Sequence, residues 1–250
     1  MKLFKFFSIV GLTFLFISCG GPSIRFEKTP LDKVIQDLSA EQNFSIILYD
    51  MDYDEGTNKY KHMYQTLVPK DDTVLVNTTP WYDVPDVFFE KNVDNMGMEI
   101  ASKVNGKLNK KASPPGYNHY VGNDRYGRWT QRNGSSFWEF YGQYAFMSSM
   151  FGLGHNPIRR SYYDDYRTNY YGSRAYYGPS NNGRNYYGTR SNYNTSRSST
   201  NWTKKPSTFK DKVRSKVKQS ASVTRKSRIS RSSSRSSSSS FRSRGGGFGK

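Results

Sequence analysis

Thr29-Pro30-Leu31-Asp32-Lys33-Val34-Ile35-Gln36-Asp37-Leu38, followed five residues later by Phe44-Ser45-Ile46-Ile47-Leu48-Tyr49, decides the fold class. Pro30 suits a first helical turn, with Asp32 close behind. Leu31, Val34, Ile35 and Leu38 recur at three- and four-residue spacing, which is one apolar stripe of a helix. Phe44 to Tyr49 is β-branched and aromatic, bounded by Asn43 and an acidic turn, and reads as a strand. Tyr60 to Val68 predicts a second strand and Thr73 to Thr79 a third. Asp83 to Lys111 begins with Val84, Val87, Phe88 and Phe89 and continues through Met96, Met98, Ile100 and Val104. Its latter part reads as a helix, Gly97 notwithstanding. Residues 24–111 are therefore expected to form an α+β unit, a small antiparallel sheet with two helices around one modest core.

Upstream, Met1-Lys2-Leu3-Phe4-Lys5 carries two positive charges, and Phe6 to Ile17 is almost wholly apolar. Twelve residues fall short of the roughly 20 that a spanning helix needs. A charged start, a short apolar middle and a small residue at the break mark a secretory signal over residues 1–18. Its Ser18-Cys19-Gly20 ending resembles a bacterial lipoprotein signal, with Phe16 where that pattern has an aliphatic residue. The resemblance implies cleavage before Cys19, acylation of its thiol and amine, and a membrane-bound protein outside the cytoplasm. Gly20 in place of an inner-membrane retention Asp favours the outer membrane. Residues 19–23 are then anchor and tether. Cys19 is the only cysteine, so no disulfide can form and packing alone must hold the fold.

Charge divides the mature chain. From Gly20 to Lys111 there are 15 acidic residues against 11 Lys and Arg, a net of −4. From Ala112 onward 25 Lys and Arg face 5 acids, a net of +20. A basic interaction tail on a mildly acidic domain follows. Pro114-Pro115-Gly116 reads as a linker, and residues 112–158 as that linker with an aromatic helix. The helix is assigned to Ser136 to Gly154, with Phe137, Phe140, Tyr141, Tyr144, Met147 and Phe151 on one face and an Asn133-Gly134 turn signal before it. Such a helix either docks on the small domain or lies in a membrane interface. Residues 159–250, with irregularly spaced Tyr-Tyr-Gly triplets and then Ser/Arg runs, are expected to be a disordered basic tail, apart from a nascent helix over Phe209 to Lys218.

Two resemblances bear on this. Lys28 to Leu38 with Phe44 to Ile47 is similar to the helix–strand opening of small secretin and TonB-type N-terminal modules, which implies an α+β fold. The leader, the Tyr-Gly middle and the Ser-Arg-Gly-Phe-Gly end together resemble uncharacterised bacterial envelope lipoproteins of the YgiB and YjfM type. That likeness implies an envelope role and supplies no catalytic residues.

Reactive chemistry is sparse. Asp50-Met51-Asp52-Tyr53-Asp54-Glu55-Gly56 has acids at calcium-loop positions 1, 3 and 5, but Glu55 and Lys61 stand where Gly and a bidentate Glu belong. His62, His119 and His155 lack metal-ligand spacing. No nucleophile elbow or phosphate loop occurs. A non-enzymatic role without cofactors or metal is expected, with Cys19 as lipid attachment. The polyanion-binding set is Lys204, Lys205, Lys210, Lys212, Arg214, Lys216, Lys218, Arg225, Lys226, Arg228, Arg231, Arg235, Arg242 and Arg244. Its partners would be anionic lipids or envelope polysaccharide, beside a possible envelope protein. A spacer role and an RNA-binding RS/YG role are the alternatives, the leader arguing against nucleic acid.

Overall fold

The computed structural model describes residues 29–181 and 183–233. Thr29 opens α1 (Pro30–Asp37) with a reciprocal cap, its hydroxyl accepting from the Asp32 amide and the Asp32 carboxylate accepting from the Thr29 amide. β1 (Phe44–Asp54), β2 (Lys59–Lys70), β3 (Thr73–Thr78), β4 (Tyr82–Val84), β5 (Glu99–Val104) and β6 (Lys107–Asn109) form one antiparallel sheet. Its order is β3-β2-β1-β5-β6, with β4 also paired to β2. α2 (Asp86–Asn92) links β4 to β5. The chain is α+β, as the opening stretch predicts.

β1 explains why the sheet is covered on both faces. Ile46 and Leu48 meet Leu31 and Val34 of α1 on one side, while Ile47 meets Met98, Tyr117 and the rest of a Tyr-rich cluster on the other. A strand buried on both faces reads as a continuous apolar run, here Ile46-Ile47-Leu48. The β1–β2 register slips by one residue between Leu48 and Asp50. This bulge at Tyr49 keeps Met51 and Tyr53 on the face already used by Ile46 and Leu48, where they join Phe89 and Val93. One face thus carries a helical layer and the other an aromatic layer.

The structure corrects four expectations. The helix expected over Met96 to Val104 is the β5–β6 hairpin, because β5 finds a partner in β1, with Phe44 opposite Lys103 and Ile46 opposite Ala101. The helix expected over 136–154 is mostly strand. Asn133 and Gly134 sit at φ 48° and 72°, the two left-handed positions of a tight hairpin, and they pair β7 (Gly127–Arg132) with β8 (Ser135–Phe140). A 3-10 turn (Gly142–Tyr144) and the short α3 (Phe146–Met150) follow. Of the two fates weighed for that segment, docking is what the fold displays: Trp138, Phe140, Tyr144, Met147 and Phe151 are buried against Ile47, Leu67 and Val74.

Pro114-Pro115-Gly116 is no linker, since all three residues are buried. Gly116 passes so close to Phe151 that an added Cβ would lie 2.5 Å from the ring, so only glycine fits. Finally, residues 159–225 are folded onto the body rather than disordered, apart from Asn182, which is not described, and the helix that ends this part runs on to Ser233. α4 (Arg160–Asn169), α5 (Asn192–Ser196), α6 (Asn201–Lys204) and α7 (Ser207–Ser233) lie in this part. Tyrosine does here what aliphatic residues do elsewhere. Tyr117, Tyr166, Tyr176 and Tyr187 are buried with ring centroids 5.5–5.7 Å apart in the Tyr117–Tyr166, Tyr117–Tyr187 and Tyr166–Tyr176 pairs. The Tyr117 and Tyr187 hydroxyls bond each other and that of Tyr166 donates to Asn118, so these polar tips cost little.

Candidate functional site

The predicted basic residues begin at α6, and their position is set by a single carboxylate on the sheet. β5 leaves β1 after Ile47, so the edge of β1 beyond it is open to other partners. Asp50 stands there and is buried. Its carboxylate accepts the backbone amides of Asn201 at 2.6 Å and Trp202 at 3.1 Å, capping α6 from 151 residues away in sequence. Burial raises its pKa, and those amides together with that of Met51 oppose the rise. Trp202 follows into the helical layer at 2% exposure, with its ring edge-on to Phe89.

α7 then crosses α2. Phe209, Val213, Val217 and Ala221 fall four residues apart and so share one face. Val213, Val217 and Ala221 are buried, the two valines among Phe89, Val93 and Met96. Around this stripe the tail cations meet the acids of the first half. Lys205 lies 3.5 Å from Asp52, Lys212 2.8 Å from Glu55, Arg214 2.7 Å from Asp94 and Arg225 2.5 Å from Glu90. Lys216 donates to Tyr53 Oη and to Asn58 Oδ1, and Thr224 donates to Asp86 at 3.0 Å. Lys212 lowers the pKa of Glu55, and Glu55 raises that of Lys212, as a pair should.

Magnitudes decide which of these holds the helix. Each fully buried apolar side chain stabilises by roughly 1.5–3 kcal/mol, whereas ion pairs with half-exposed partners contribute little individually. The apolar stripe and Trp202 therefore hold α7 in place, and the ion pairs fix its register.

The acidic stretch weighed as a calcium loop is now accounted for residue by residue. Asp50 caps α6, Asp52 faces Lys205, and Glu55 faces Lys212. Asp54 holds Lys61 at 2.9 Å and the amides of Gly56 and Thr57, which drives its pKa down to about 2 with Lys61 as the largest cause. Among the described residues no group of three or more His, Cys, Asp or Glu gathers as a metal site.

Of the predicted set, Lys205, Lys212, Arg214, Lys216 and Arg225 are engaged with the body, and Lys210 donates to the Thr203 carbonyl. Lys204, Lys218 and Lys226 make no ion pair among the described residues, and Lys218 lines a cleft of about 460 Å³ beside Arg214 and Asp94. Arg228 and Arg231 fall on the last turns of α7. Cys19 with its leader, and Arg235, Arg242 and Arg244, lie outside the described residues.

A second polar cluster escaped sequence reasoning. Glu99 on β5 is fully buried and accepts from the Gly116 amide at 3.3 Å and from Asn118 Nδ2. Asn118 also bonds Ser113, and it accepts from Tyr166 Oη at 2.6 Å. Burial raises the Glu99 pKa against these bonds. The cluster ties the sheet to the aromatic layer and faces no solvent. Its only sequence signal was a charged residue inside an apolar run, Met98-Glu99-Ile100.

No family model, no curated protein and no solved structure matches this chain.

Proposed function

We propose that this protein is a lipid-anchored, non-enzymatic component of a bacterial envelope, held outside the cytoplasm through Cys19. Its outer end is a cationic segment that contacts anionic lipids or envelope polymers. One observation carries the reading. Four of the eight tail cations from Lys204 to Arg225 pair with acids of the body, while Lys226 to Lys250 contains seven Lys and Arg and no Asp or Glu. With no acid in that segment to offset it, its charge is left for a partner. The apolar leader ending at Ser18-Cys19 supplies the reason to put the partner in the envelope.

The test has two arms. Mass spectrometry of the mature N-terminus from fractionated membranes should find acylated Cys19, and Cys19→Ala should abolish palmitate labelling; continued labelling would overturn the anchor. A chain cut after Arg225 should bind anionic vesicles more weakly than the full chain at low salt. Equal binding would leave the distal segment a spacer, and a preference for RNA over equally charged polymers would move the partner to nucleic acid.

A further inference from the structure

We propose that the cavity between α1, the end of α2 and the 173–177 segment is a binding site for the phosphate headgroup of an anionic lipid. The cavity measures about 580 Å³. Lys91, Lys110, Lys111 and Arg174 stand around it, with Asp32 the one acid among the lining residues. Asp32 is already neutralised by Lys110 at 2.6 Å, which holds its carboxyl below the usual range. That leaves Lys91, Lys111 and Arg174, none of which pairs with a carboxylate among the described residues. The lining also includes the buried Leu31, Ile100 and Ala112 and the half-buried Phe88, beside Asn92, Asn95 and Tyr177.

Cations together with apolar lining residues are the complement of an amphiphilic anion, with phosphate on the cations and hydrocarbon on the apolar residues. A soluble polyanion would need only the rim. The wall is built before any ligand arrives. Asn92 donates to the Phe88 carbonyl, Asn95 donates to Asn92, and Tyr177 Oη donates to Asn95 Oδ1 at 2.8 Å. Arg174 lies 4.2 Å from the centre of the Tyr170 ring, which steadies its guanidinium at the rim.

Position points the same way. Thr29, the first described residue, lines this cavity. Cys19 lies ten residues earlier, at most about 35 Å of extended chain. With the anchor at Cys19, the mouth is within reach of bilayer phosphates; this placement rests on the anchor reading, whereas the composition of the cavity does not.

The test uses the mature chain with Cys19→Ser, which removes the anchor's own bilayer affinity. Dihexanoyl phosphatidylglycerol, kept below its micellar concentration, is titrated calorimetrically beside sn-glycerol 3-phosphate. The chain should bind the short lipid, and a chain cut after Arg225 should bind it equally well, which separates this site from the distal segment. Lys91→Gln, Lys111→Gln and Arg174→Gln should weaken binding about fivefold each, on the order of 100-fold together. Ala175→Trp fills the cavity without altering charge and should abolish binding while the far-ultraviolet spectrum is kept. Equal affinity for glycerol phosphate would keep a phosphate site but overturn the lipid assignment. No lipid binding, or binding untouched by both the triple variant and Ala175→Trp, would overturn the proposal.

Discussion

Replacing Asp50 by alanine tests what holds the basic helix to the body. The carboxylate accepts two amides from α6 at 2.6 Å and 3.1 Å, and both lie in a buried or half-buried setting. Leaving a buried donor without an acceptor costs about 1–3 kcal/mol each, and loss of a helix cap is of similar size. Part of this is returned, because Asp50 is itself held charged against desolvation, as its raised pKa records. A net loss of roughly 2–4 kcal/mol is expected. Asp50→Asn keeps one acceptor oxygen and should lose about half as much. Urea unfolding of the mature chain would give the total, and amide exchange by mass spectrometry would locate it. Exchange should rise first over Thr200 to Arg225, where α6 and the apolar stripe of α7 depend on the cap, and least over β1 and β2. An unchanged unfolding midpoint, or exchange rising uniformly through the sheet, would refute the account of the cap as the docking point.

Burial among Phe88, Phe89 and Tyr64 pushes His62 from 6.5 down to about 3, so its contribution to stability is present above 6.5 and is lost as pH falls. Between pH 7 and pH 5 the unfolded chain takes up the proton that the core refuses, which removes about 2 kcal/mol, and His62→Phe should abolish that part of the slope in urea titrations. His119, lowered to about 4, adds to the same slope, whereas the raised carboxyls of Asp50 and Glu99 act in the opposite direction and cancel in the comparison. A fragment ending at Lys111 should lack cooperative unfolding in calorimetry, because the core cluster that holds Ile47, Leu67, Val74 and Met98 is otherwise made of residues beyond it, Tyr117, Tyr120 and Trp138 among them. Glu99→Ala should destabilise by about 2–4 kcal/mol in the same urea assay, since it leaves the Gly116 amide and Asn118 without their buried acceptor.

Where local signals agreed with one another, the sequence could be read directly. Thr29 to Leu38 combined a proline, an early acid and an apolar stripe, and it is α1; the strand patterns around Phe44, Tyr60 and Thr73 are β1 to β3. Asp83 to Lys111 misled because its apolar residues fit a helical spacing, while the pairing with β1 that makes β5 a strand is non-local. Tyrosine defeated the rest. A search for aliphatic periodicity passes over Tyr166, Tyr176 and Tyr187, whose rings build a core while their hydroxyls find partners. The docking of α7 was legible after all: Phe209, Val213, Val217 and Ala221 form a four-residue stripe that the surrounding Lys, Arg and Ser obscured. Asp50 as the cap of α6 was not legible, because a contact across 151 residues leaves no local pattern.

The split in charge acquires a physical sense once the halves are seen together. Seven of the 15 acids of the first half lie on two stretches, Asp50 to Glu55 and Asp86 to Asp94, and α6 and α7 engage both. Without those acids a helix with this density of Lys and Arg would repel itself and its +20 half. With them, Lys205, Lys212, Arg214 and Arg225 are matched, while the seven Lys and Arg of Lys226 to Lys250 have no acid in their own segment. Salt then acts unequally on the two. If the distal segment contacts an anionic surface as proposed, screening should weaken that contact steeply. It should scarcely loosen α7, whose hold rests on Trp202, Val213, Val217 and Ala221 rather than on its ion pairs.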